Sequence, residues 1–343
     1  MVFFTLIAAL TSSLQLAFAA VLITLSRLLR SRVSGRPRRV AVIGGGIAGF
    51  GAAHSLCRSG VDVEIFEEYD RAGGNAKTHE WPDGAVTGLS VLAWPSYFRN
   101  YAALLRQLGL ETAQVELPFY LRRADGESFV HGRSEALSVR YAADMRRWAR
   151  LVALVRRVNR FFARSDTPSL YHFSLLNPMN VLPLRLLCWL CGISAGFWRE
   201  VIVPLHCTTF LTSRLGLVPA VVVPTIDDII PLAGIPRLSS WVGSSNGSSN
   251  GSSADVFERI AAAAPSLRVR TSCRVERVRR APDGTWTVHV QPRDAASAPA
   301  ACDGFDRVVF ASSARHAAAA LPATPLWYAS RSQFTYDLGE VYL

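Results

Sequence analysis

Apolar positions along this chain fall into three kinds of run. The first, Val2 to Leu25, is dominated by Phe, Leu, Ile, Val and Ala, and no charged side chain occurs from Met1 to Ser26. At 1.5 Å per residue such a run can span a hydrocarbon core of about 30 Å, so residues 1–26 are expected to form a transmembrane anchor. The second kind is short and β-branched. Val40 to Ile43 and Val61 to Phe66 read as buried parallel strands, with a helix over Ile47 to Ser59 between them and Gly60 ending it. The third kind is periodic. Met145, Trp148, Val152, Val155, Val158 and Phe162 recur at helical spacing, while Arg146, Arg150, Arg157, Arg160 and Arg164 lie mostly elsewhere around the helix. That pattern fits a surface helix with a solvated charged face, and also a basic helix lying on an anionic membrane.

The turn between the two predicted strands carries the most chemistry. Gly44-Gly45-Gly46-Ile47-Ala48-Gly49 follows the first strand directly, and Gly44, Gly46 and Gly49 fit G-x-G-x-x-G. In such a turn the first glycine allows a sharp exit from the strand and the second lets the backbone approach a pyrophosphate. The third lets the following helix pack closely on the sheet. The helix then presents the amides of Ile47 and Ala48, and its positive dipole end, to phosphates. Glu67 closes the second strand, where an acid hydrogen-bonds the ribose hydroxyls of an adenosine, and Glu68 stands beside it. A chance glycine-rich turn would not also supply the strand, the helix and an acid at that position.

A few residues on comes Arg71-Ala72-Gly73-Gly74-Asn75-Ala76-Lys77-Thr78. Here the sequence resembles the flavin amine oxidase superfamily, which includes phytoene-desaturase-like enzymes. Glu67, Arg71, Gly73 and Gly74 match that family's acid followed by Arg-x-Gly-Gly. The resemblance implies that these glycines and the arginine lie along the pyrophosphate and ribityl side of FAD. It extends more thinly through Gly84 to Gly88, where the family's acid is lost at Val86 or Thr87, and through Tyr97 to Leu105. Leu267–Arg270 and Cys273–Val278 look like strands returning to the FAD domain, with the backbone of Val275 implied to meet the adenine. Phe305 to Ser312 resembles the strand and turn near the cofactor. The implied fold is α/β: a Rossmann-like FAD-binding domain with an inserted, mixed or helical substrate domain, preceded by the transmembrane helix.

Composition changes this picture little. Half of the residues are apolar, enough for a sizeable core, and the formal charge is +11. Of the 37 basic residues only Lys77 is lysine, and Arg27, Arg30, Arg32, Arg36, Arg38 and Arg39 crowd together after the apolar N-terminus. No recognised nucleic-acid-binding module accompanies the charge, so no nucleic-acid partner is expected. The arginine cluster predicts a single-pass membrane protein with its flavin domain in the cytosol. The alternative is a cleaved secretory or organellar targeting sequence, for which Ala17-Phe18-Ala19 offers a cleavage site. The sequons at Asn246 and Asn250 provide a check on that topology. Six scattered cysteines in mostly apolar surroundings read as reduced, buried thiols.

Three motifs elsewhere lack the context their chemistry needs. Gly192 to Gly196 fits G-x-S-x-G around Ser194, but an apolar, helix-like segment precedes it instead of a strand. Cys188-x-x-Cys191 has no second ligand pair at zinc spacing. Asp227 and Asp228 read as a turn or a helix start. His206 and Cys207 read as core residues, so no catalytic side chain and no metal site is assigned.

The predicted organisation is a transmembrane anchor (1–26), a basic segment (27–39) and a first FAD-binding part (40–112). A substrate domain (113–242), a Gly/Ser/Asn linker (243–253) and a second FAD-binding part (254–343) follow. No second glycine-rich motif follows Ser312, so that last part is expected to be incomplete. Two functions follow from the resemblance. One is an FAD-dependent oxidoreductase that takes a hydride from an amine or lipid-like substrate. The other is a non-catalytic, membrane-anchored nucleotide-binding remnant. No oligomeric state can be read from the sequence.

Overall fold

A computed structural model describes residues 37–321, apart from positions 77, 81, 83–85, 89–92, 96–97, 132, 163–175, 211–213, 233, 242–252 and 294–297. The predicted strand–helix–strand unit forms at Arg39–Ile43, Ile47–Arg58 and Asp62–Phe66. Val40 to Ile43 are all buried, as a β-branched run covered on both faces requires. Gly60 ends the helix at φ +76°, where its amide donates to the Cys57 carbonyl and that of Val61 donates to Leu56.

Two later strands complete a four-stranded parallel sheet. Their order in space is Arg307–Phe310, Arg39–Ile43, Asp62–Phe66 and Leu267–Arg270. One face carries the fingerprint helix and the helices Arg99–Gln107 and Ser253–Ala262, through Val42, Phe50, Leu105, Val256 and Ile260. Against the other face lies an antiparallel sheet of Cys273–Arg280, Trp286–Pro292 and Ala300–Phe305, joined through Ala41, Phe66, Val288 and Phe305. Between these layers Glu64, 2% exposed, forms ion pairs with Arg39 at 2.8 Å and with Arg270. Guanidinium groups from both neighbouring strands thus offset the desolvation of its carboxylate.

The stretch between the two halves of this sandwich is mostly helical. Its ends meet where Thr112–Glu116 pairs antiparallel with Arg237–Trp241. Inside that closure the helices Ala142–Phe162, Leu184–Leu190, Val203–Phe210 and Val223–Ile229 share a core that runs from Phe129 to Leu232. Trp148, Val152 and Val155 enter this core, and Met145 and Val158 pack against it.

Several expectations are corrected here. No helix among the described residues is long and apolar enough to cross a membrane. The longest, Ala142–Phe162, carries Arg146, Arg147, Arg150, Arg156, Arg157 and Arg160, whereas a span needs about 20 predominantly apolar residues. The single-pass membrane localisation is therefore withdrawn. It rested on residues 1–26, which lie outside the described residues. Positions 27–36, most of the linker (243–252), both sequons and residues 322–343 lie outside them too. Ser253 opens a helix instead of ending a linker. Asp227 and Asp228 sit late in Val223–Ile229, not at its start, because Pro224 occupies the first turn.

Candidate functional site

The glycine turn is shaped by contacts that exclude side chains. Gly44 sits at φ +106°, and its amide donates to the Phe66 carbonyl at 2.9 Å. Few residues other than glycine tolerate that conformation. At Gly49 a Cβ would lie 2.0 Å from the Gly44 carbonyl oxygen, a contact no side chain could make. The fingerprint helix has no side-chain cap at Gly46. Amides in its first turn, at Ile47 and Ala48, therefore lack helical acceptors and can receive phosphate oxygens.

The second glycine motif lies directly on the first. The Gly73 amide donates to the Gly45 carbonyl at 2.9 Å, and the Gly46 and Gly74 backbones are in close contact. Glu67 is 6% exposed beneath them. Its Oε2 accepts the Gly45 amide at 2.7 Å and its Oε1 accepts the Tyr69 amide at 3.0 Å. Each carboxylate oxygen keeps lone-pair capacity for a further donor, so two backbone bonds fix the acid in place without exhausting it.

Together these groups wall one cavity of about 1110 Å³. That exceeds the range of about 300–1,000 Å³ usual for small-ligand pockets and suits an extended dinucleotide. Gly44, Gly46, Ile47 and Ala48 line it, as do Glu67, Glu68, Gly73 and Gly74. Val275 joins them from the antiparallel sheet, just before a bulge in its strand. Glu68 pairs with Arg274 at 4.0 Å on the same wall. Gly49 is buried behind the turn it supports, and Arg71 is exposed, outside the wall. Of the eleven residues named from sequence, the structure thus gathers nine around the cavity.

Two contributors were not picked out from the sequence. Gly45 occupies the variable position of the motif, yet its amide anchors Glu67 and a Cβ there would stand 2.9 Å from Oε2. Ser312 lines the cavity where Ala311 and Ser312 approach Gly44, and its Oγ is buried with no hydrogen-bond partner. A buried, unpaired hydroxyl beside an uncapped helix start is what a polar ligand would satisfy. On this observation the cavity fits a dinucleotide.

The remaining candidates serve the fold. Ser194 caps a helical turn by accepting the Phe197 amide at 3.1 Å, and donates to Asp144 Oδ2 at 2.9 Å. Among the described residues no histidine bridges it to that carboxylate, so the pair lacks the arrangement of a Ser-His-Asp triad. Cys188 is buried, and desolvation pushes its thiol up to about 12. The Asp227 carboxyl is raised by burial, although it accepts the Trp148 indole N–H at 2.9 Å. His131 Nδ1 accepts the Phe119 amide at 3.0 Å, so Nε2 carries the proton and donates to the Pro231 carbonyl at 2.6 Å. Burial holds it below its ordinary range. His206 is fully buried, stacks on Trp148 at 5.8 Å and has no hydrogen bond at either ring nitrogen. Its pKa falls to about 3, first by burial and then by His131. Neither His206 nor Cys207 lines the cavity. Among the described residues no group of three or more His, Cys, Asp or Glu could hold a metal ion.

Comparison with known proteins agrees with this geometry. Residues 42–108 match a family model described as an NAD(P)-binding Rossmann-like domain. Among curated relatives, the flavin-dependent L-tryptophan oxidase of Lentzea aerocolonigenes is 34% identical over 76 residues, covering 21% of this chain and 16% of that protein. The L-amino-acid oxidase of Pseudechis australis is 36% identical over 76 residues, covering 22% and 15%. The chain therefore matches less than a fifth of the length of these relatives.

Solved structures cover far more. Putrescine oxidase bound to putrescine aligns with a TM-score of 0.59 and 18% identity, over 85% of this chain and 62% of that one. A fatty acid isomerase from P. acnes, described as producing CLA, gives 0.59 and 19%, over 87% and 64%. Cyclohexylamine oxidase from Brevibacterium oxydans gives 0.56 and 15%, over 85% and 62%. At such identities the likeness establishes a shared fold.

Proposed function

We propose, from the premise that the nucleotide-binding part of this chain is that of the flavin amine oxidase-like superfamily, that the cavity takes FAD in an oxidoreductase acting on amines. The observation that carries this reading is the convergence of two glycine motifs, a doubly anchored acid and a strand from the second sheet on one cavity. The Gly44–Gly49 turn and the first amides of its helix hold the pyrophosphate. Arg71, exposed beside the Gly73–Gly74 loop, supplies positive charge to it from the rim. Glu67 receives the ribose hydroxyls of the adenosine, with Glu68 beside it. The backbone of Val275 meets the adenine edge, and Ser312 Oγ donates to the bound cofactor. When bound, FAD supplies the acceptor for a hydride equivalent from a substrate C–H bond. The protein's own part is to hold that acceptor and to exclude water.

The oxidase relatives favour an amine or amino acid as hydride donor, and the isomerase neighbour adds a fatty acid to the assay. The test is anaerobic mixing of the flavin-loaded chain with a diamine, a cycloalkyl amine, an aromatic L-amino acid and a polyunsaturated fatty acid. Bleaching of the flavin by an amine or amino acid is expected. A loaded chain that no member of the panel bleaches, and that leaves each member unchanged, would overturn the activity while leaving the cofactor assignment standing.

A further inference from the structure

The long helix Ala142–Phe162 carries an unpaired row of guanidinium groups. At 100° per residue, Arg146, Arg150, Arg157 and Arg160 project within about 80° of one another, opposite the buried Trp148, Val152 and Val155. All four are exposed, and none forms an ion pair or hydrogen bond among the described residues. Along the axis the row is about 21 Å long, at 1.5 Å per residue.

The described acids of the helical body are spoken for. Asp125 and Glu200 pair with Arg123, and Glu127 pairs with Arg140. Asp144 pairs with Arg147, and Asp227 and Asp228 face Arg156. Four like charges on one face, two of them four residues apart, repel one another and weaken the helix. Among the described residues no acid neutralises them.

We infer that this row is a docking surface for a protein partner that presents carboxylates at matching spacing. Guanidinium forks bind carboxylates in pairs of hydrogen bonds, and arginine is enriched at protein interfaces. Ala149 and Ala153 lie between the arginines and are exposed, so a second helix can approach the axis closely. Leu154 and Phe161, 44% and 82% exposed, flank the row on one side as apolar anchors. A bilayer is the poorer occupant. An interfacial helix immerses its apolar face, and here that face is spent in the core.

The probe is a pair of acidic helical peptides of identical composition, one with glutamates at the spacing of the four arginines and one with them scattered. Binding to the full chain is measured by titration against salt. The patterned peptide is expected to bind at least about tenfold more tightly than the scattered one, and to weaken as salt rises. The combined variant Arg146→Gln, Arg150→Gln, Arg157→Gln and Arg160→Gln should lose that preference while its thermal unfolding is no lower than that of the unaltered chain, since the repulsion is relieved. In the unaltered chain, a lysine-patterned peptide should not bind. Equal binding of the two acidic peptides would overturn the inference, as would binding that survives in the variant. So would a preference for phosphatidylserine vesicles or a single-stranded DNA oligonucleotide.

Discussion

The cofactor cavity and the helical body use polar groups in opposite ways. Around the cavity, polarity is held in place but left open. Glu67 is fixed by two backbone amides and retains acceptor capacity, and Ser312 Oγ is buried with nothing to bond. In the helical body most polar side chains are consumed, although His206 keeps both ring nitrogens buried and unbonded. Ser194 is spent on a cap and on Asp144, Asp227 on Trp148, and both active nitrogens of His131 on backbone groups. A motif-like spelling such as G-x-S-x-G thus says little until its partners are known. What separates a site from a scaffold is whether satisfied groups still have something to offer.

The sharpest way to break this comparison is at the glycine turn. Gly49→Val forces a Cβ to within 2.0 Å of the Gly44 carbonyl oxygen. We expect a loss of about 3 kcal/mol or more in denaturant unfolding, together with loss of bound flavin. Gly51, two residues on, where a Cβ would meet no neighbour within 4 Å, serves as the control. Gly51→Ala should stabilise the same helix by about 0.5–1 kcal/mol and keep the flavin. If both substitutions behave alike, close packing is not what the turn requires.

Glu67→Ala removes the acceptor of two backbone amides at once. Stability should fall by about 2–3 kcal/mol, and flavin retained after desalting should drop by at least about tenfold. An unchanged flavin content would show that the acid only braces the turn.

The helical body offers a pH test. Folded His206 titrates near 3, whereas an unhindered imidazole titrates near 6.5. The folded state therefore takes up its proton later, and this group's contribution to stability is full above pH 6.5. It is lost as the pH falls from 6.5 toward 3, at about 1.4 kcal/mol per pH unit, or about 2 kcal/mol by pH 5. His206→Phe, which keeps a flat ring against Trp148, should flatten that dependence in tryptophan-monitored unfolding. A slope that persists in the variant would assign the acid sensitivity elsewhere.

The smallest effect belongs to Ser194. Ser194→Ala should cost about 1 kcal/mol through the lost cap and leave flavin content and substrate bleaching unchanged. Lost turnover in a stable variant would contradict its structural assignment.

How far each region could be read in advance follows the same division. The turn was legible because its constraint is local: backbone geometry at Gly44 and Gly49 admits one residue type, and the strands around it are short, continuous and β-branched. Ser312 could not be singled out, since it reaches Gly44 only when Arg307–Phe310 pairs with Arg39–Ile43, over 260 residues distant in sequence. In the helical body the apolar spacing of the long helix was visible, although buried Leu151 escaped it. The partners of its polar groups were not visible. Trp148 and Asp227 lie 79 residues apart, and nothing local announces their bond. The membrane assignment drew on residues 1–26 alone, which lie outside the described residues, and no described helix is long and apolar enough to support it.

The central claim, that the cavity is built for FAD, is tested most directly by visible absorption. The chain is refolded or expressed with FAD present, desalted, and then denatured to release what it holds. An oxidised-flavin spectrum that survives desalting, with FAD released at close to one per chain and lost in Gly49→Val, is the predicted result. A folded but colourless chain, or one that retains only a nicotinamide dinucleotide, would contradict it.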